Sequence, residues 1–86
     1  MCTGIVETVE VSGSGKGPHG WFKLEQVNFS YDHPTDGQLD HALNIDFVNV
    51  KEGLGASVAV ELSAESARRL VETILVTLSR GDQGAL

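Results

Sequence analysis

Cations are scarce in this 86-residue chain: six lysines and arginines stand against twelve aspartates and glutamates, for a net charge of −6. Nucleic acid and anionic lipid are held by clustered Lys and Arg, so this balance argues against both as partners. One cysteine is present, which rules out an intramolecular disulfide and points to a reducing cytoplasm. Long apolar runs are also missing. None approaches the ~20 residues of a membrane span, and no basic segment leads into a signal-like apolar core. The two prolines, Pro18 and Pro34, each fall in a glycine-bearing link, where they act as turn punctuation.

What remains is the composition of an ordered globular chain, with 41% hydrophobic and 21% charged residues. The length allows one domain, 1–86. A chain this short buries only roughly 60–65% of its unfolded surface, so packing against a second copy would add stability.

After a lead-in over 1–4, residues 5–11 (IVETVEV) alternate as a strand, with Ile5, Val9 and Val11 on one face. Residues 12–20 (SGSGKGPHG) read as a loop. The lysine there lacks the spacing of a phosphate loop, and no helical pattern follows it. Residues 21–31 (WFKLEQVNFSY) form a second strand in which Phe22 and Leu24 share one face and Val27, Phe29 and Tyr31 the other. The change of phase at Glu25–Gln26 predicts a β-bulge or a change of partner there. A polar link spans 32–40. A third strand follows over 42–50, with Leu43, Ile45 and Phe47 on one side, and a glycine-bounded turn over 51–55 leads to a fourth strand over 56–62.

Ser63 is placed to cap a helix, with Glu65 in its first turn and Arg69 four residues on. Ala67, Leu70, Val71, Ile74, Leu75 and Leu78 recur at helical spacing as one apolar stripe. Gly81 is the expected stop, and 81–86 the expected frayed tail. The fold class predicted is α+β: a four-stranded antiparallel meander followed by one C-terminal helix packed on one face. A single helix covers only part of such a sheet. The opposite face carries Val6, Val48, Val50 and Ala59 among polar residues, a mixture that favours a homodimer or larger homo-oligomer.

Candidate chemistry gathers at both ends of the polar link and at the amino terminus. If Met1 is removed, Cys2 joins a thiol to the α-amine, a pair suited to metal chelation or nucleophilic attack. His33 and His41 each follow an aspartate, and imidazole with thiolate is a common ligand set for Zn or Cu. A hairpin-like link would bring these two imidazoles together, with Cys2 as a third ligand and Asn44 and Asp46 as outer partners that orient them. The spacing matches no standard metal motif. His19, in the glycine-rich stretch, is expected to be exposed. The aromatic second strand beside the link could line a small-molecule pocket.

The segments MCT, SGSGKG, GWF, YDHP, HALNIDFVN and VAVELS followed by SARRLVE resemble a family of short, actinobacterial-type bacterial proteins of unknown function. That resemblance covers residues 2 to about 78 and implies no activity. The order of four strands and a helix also looks like that of the coactivator type of single-stranded-DNA binder. This second likeness implies dimerisation, while the acidic charge speaks against its nucleic-acid role. Three functions are therefore expected in order: a homo-oligomeric module binding a small ligand or partner; a Zn or Cu protein using Cys2, His33 and His41; and a small enzyme with Cys2 as nucleophile.

Overall fold

The computed structural model describes residues 4–36, 40–53 and 55–84. Four strands, β1 (Val6–Gly17), β2 (Gly20–Asp32), β3 (Ala42–Val48) and β4 (Ser57–Leu62), pair antiparallel in one open sheet of order β1-β2-β3-β4. A turn of 3-10 helix, Val50–Glu52, sits between β3 and β4, and helix α1 (Ala64–Asp82) follows. This is the expected α+β meander with one C-terminal helix packing against the sheet.

Residues directly opposite on an antiparallel ladder share a face. Val27, Phe29 and Tyr31 stand opposite Phe47, Ile45 and Leu43, which in turn stand opposite Val58, Val60 and Leu62. Val9, opposite Val27, carries this apolar row onto β1. Its centre is buried, with Val27 and Ile45 4% and 6% exposed, and Phe22, Ala42, Ala56 and Ala67 complete the buried apolar set. The other face is mixed: it carries Asn28 and Ser30 of β2, Asn44 and Asp46 of β3, and Ser57 and Glu61 of β4, beside Ala42, Val48 and Ala59.

The largest departure from expectation lies in residues 12–20. Most of this stretch is strand, because β1 continues to Gly17 and the turn is only Pro18-His19. Neither of those two residues has a positive φ; the left-handed position falls on Gly20, at φ 106°. An unprimed turn followed by a left-handed glycine is a common way to close a hairpin. The bulge also sits on the other strand of the pair. Glu10 faces Gln26 and Gly13 faces Leu24, so Val11 and Ser12 together oppose Glu25. β2 itself keeps its period of two, which leaves Phe22 and Leu24 on the face opposite Val27.

Beyond the bulge, β1 curls toward β4. A Cβ on Gly17 would stand 2.9 Å from the Gly55 carbonyl oxygen and 3.2 Å from that of Ser57. Gly17→Val is therefore expected to push the strand ends apart and to cost about 1–3 kcal/mol, the usual range for overpacking. Denaturant titration reads this as a lower midpoint; an unchanged midpoint would mean that the two ends do not touch in solution.

The β3–β4 connection is organised by buried Asn49. Its amide nitrogen donates to the Lys23 carbonyl and to Glu52 Oε2, both at 2.9 Å, and its oxygen accepts from the Lys51 N–H at 3.1 Å. The Ser63 hydroxyl caps α1 by accepting from the Ser66 N–H at 3.1 Å, and Arg69 pairs with Glu65 one turn earlier. The helix passes through Gly81, its expected stop, to Asp82, and the left-handed glycine is Gly84.

α1 meets the sheet mainly at β3 and then leaves it. Ala67 is its only buried residue, and the rest of the stripe (Leu70, Val71, Ile74, Leu75 and Leu78) is between 45% and 62% exposed. The chain is accordingly extended. Its radius of gyration is 14.6 Å, against about 12 Å for a compact domain of this length.

Candidate functional site

The β2–β3 ladder ends where Asp32 faces Ala42. One rung beyond, His33 and His41 meet as cross-strand neighbours. Their rings are stacked with centroids 5.0 Å apart and planes 22° apart. Tyr31 also stacks with His41, at 5.5 Å and 15°. The continuing strand register thus draws the two imidazoles together. The start of the link is held by Glu61 of β4, whose carboxylate accepts from the Thr35 N–H and, at 3.1 Å, from the Asp36 N–H. Asp32 Oδ1 accepts from the His33 N–H at 2.8 Å.

Asn44 and Asp46 lie on the mixed face, not beside Leu43. They line a depression of about 330 Å³ together with Ser30, Asp32, His33 and Glu61. Three carboxylates and no Lys or Arg border it. A second depression, about 380 Å³, shares Asp46 and continues the trough past Asn28, Val48 and Ser57. Each is near the lower end of the range in which small molecules bind, about 300–1,000 Å³. The Asn44 amide donates to the Ala42 carbonyl at 3.3 Å, so part of its polar capacity is used within β3.

Cys2 lies outside the described residues. Among those described, no three or more His, Cys, Asp and Glu side chains gather closely enough to hold a metal ion. Among them, too, no helix is long and apolar enough to cross a membrane. His19 is exposed in the β1–β2 turn and stands over Gly55. Two participants escaped the sequence reading. Tyr31 was assigned to the strand with no link to His41, and Glu61 was read only as part of a strand. The first was legible from pairing, since Tyr31 precedes His33 by one strand repeat. The second was not, since Glu61 lies 26 residues from Thr35 in sequence.

These features define a small α+β module: an apolar sheet face with a diverging helix, ending at the β2–β3 edge in an aromatic and imidazole cluster, and an opposite face that carries a carboxylate-lined depression. The chain belongs to the family of unknown function DUF6295, whose model matches residues 1–86. No curated protein and no solved structure matches it.

Proposed function

We propose that this chain works by binding, as a homo-oligomer in which a second copy covers the apolar stripe of α1. The supporting observation is the stripe itself: the side chains Leu70, Val71, Ile74, Leu75 and Leu78 follow one another along the helix, all of them exposed. Single exposed apolar residues are ordinary on a monomer, but a continuous stripe of large ones is a contact surface. Light scattering coupled to size exclusion tests it. The expected mass is a multiple of the 9.2 kDa chain, dropping toward the protomer only on strong dilution. A protomer mass at every concentration would reject the reading.

A second reading is metal binding through Cys2, His33 and His41, and the observation behind it is that His33 and His41 meet, with ring centres 5.0 Å apart. The rings are stacked, so both would have to turn about their side-chain bonds for one nitrogen of each to converge on a tetrahedral ion. Cys2 would supply the third ligand, leaving a fourth position open to water or to a ligand atom. Protein purified without a histidine tag is then expected to hold stoichiometric Zn or Cu by elemental analysis, and to lose it in His41→Ala and Cys2→Ala. Protein that carries no metal and takes up none from added zinc would end this reading.

A further inference from the structure

Resting on the self-association proposed above, we infer where the second copy sits: it lays its α1 across the apolar face of this sheet, and this α1 does the same in return. Three observations lead there. The first is a partly covered acceptor surface. Val27 and Ile45 at the centre of the apolar row are sealed, but Phe29, Phe47, Val58 and Val60 around them are only half-buried, and Val9 at the far end is 47% exposed. Beside the first turns of α1, an open groove of about 380 Å³ runs between Leu62 and Leu70, so the row is continuous with the helix stripe.

The second is the breadth of the stripe. At 3.6 residues per turn, Leu70, Ile74, Leu78, Val71 and Leu75 spread over roughly 140° of the helix surface. Two helices pairing by themselves need only a narrow seam. A band this wide matches a flat sheet face, and most of it would stay wet in a simple helix pair.

The third is area. A folded monomer of 9.2 kDa exposes about 4,900 Å², whereas this protomer exposes 6623 Å². The excess, about 1,700 Å², belongs to an extended chain, and it leaves ample surface for a standard interface, about 800 Å² per partner. An exchange of helices would draw on it twice, because each subunit gives up a helix face and a sheet face together. The contact is isologous: the helix-to-sheet contact occurs twice, related by the two-fold axis, so the pair closes on itself.

The test uses the unaltered chain. Equal amounts of ¹³C-labelled and unlabelled protein are mixed, dissociated and reassembled, and isotope-filtered NOEs are recorded. Expected are cross-peaks between the methyl groups of Ile74, Leu75 and Leu78 in one copy and Val9, Phe29 or Phe47 in the other. An oligomer whose intermolecular cross-peaks join helix methyls only to helix methyls, or one with no such cross-peaks at either surface, would overturn the helix exchange while leaving self-association standing. A protomer mass by light scattering in the same sample would remove both.

Discussion

Leu75→Asp is expected to abolish the proposed self-association and leave a single 9.2 kDa chain in solution. Leu75 is among the most exposed residues of the α1 stripe, so nothing within the protomer opposes the substitution. Covered by a partner, the leucine contributes about 1.5–3 kcal/mol, and an aspartate in its place must also lose water without a counter-charge. A two-fold contact counts each change twice. The dissociation constant should therefore rise at least a thousandfold, roughly 4 kcal/mol by the usual conversion. Ser79→Asp introduces the same charge off the stripe and should leave the mass of the assembly unchanged. Sedimentation of both variants over a concentration series decides the matter. An assembled Leu75→Asp protein would mean that the stripe is not the contact.

Ile45→Ala should bring the second large loss. Ile45 lies midway across the sheet, paired with Phe29 on one side and Val60 on the other, and is nearly sealed from water. Removing its branched chain leaves a cavity whose neighbours belong to two ladders and cannot collapse independently, at a cost of about 2–5 kcal/mol. A domain of this length has roughly 4–13 kcal/mol in all. The variant should therefore be partly unfolded when dilute and regain order as concentration rises, since assembly draws on the folded form. Circular dichroism melts at low and high protein concentration measure this. A melting temperature equal to that of the parent would show that the sheet centre is not the core.

Strand order and helix were legible because their patterns are local. Leu43, Ile45 and Phe47 alternate, Val58, Val60 and Leu62 alternate, and Ser63 stands where a cap is needed. The glycine-rich stretch misled because glycine was taken as punctuation. Its spacing carried the contrary signal. Gly13, Gly15 and Gly17 recur every second residue, as one face of a strand does, and they lie across from Leu24, Phe22 and Gly20. A Cβ on Gly15 would stand 3.2 Å from Leu24 Cδ2 and 3.6 Å from Phe22 Cζ, so these glycines leave room for large neighbours on the adjacent strand. The bulge was placed on the wrong strand because a change in which face is apolar looks the same in sequence whether a strand slips or its partner does.

For the candidate site, the meeting of His33 and His41 followed from a link that folds back, whereas its closeness depends on a register that only the paired strands define. The anchoring of the link by Glu61 had no sequence signature, because a carboxylate bonding to main-chain N–H groups looks like any other acidic residue. That large apolar side chains would stay exposed was legible in outline. The sequence pointed to the mixed face of the sheet, whose Val6 and Val50 are indeed exposed, but not to the helix stripe, which was read as packed on the sheet and is exposed along its length.

The kink that Val11 and Ser12 put into β1 bears on solubility. β1 is an outermost strand, and a straight run of 12 residues with open main-chain donors and acceptors would invite stacking of chain upon chain into fibres. The extra residue breaks that run in two and bends its far half inward against Gly55 and Ser57, while Glu7 and Glu10 keep the near half acidic. Growth by adding strands is thereby discouraged, and what remains open to a neighbour is a surface that side chains, rather than backbone, must fit.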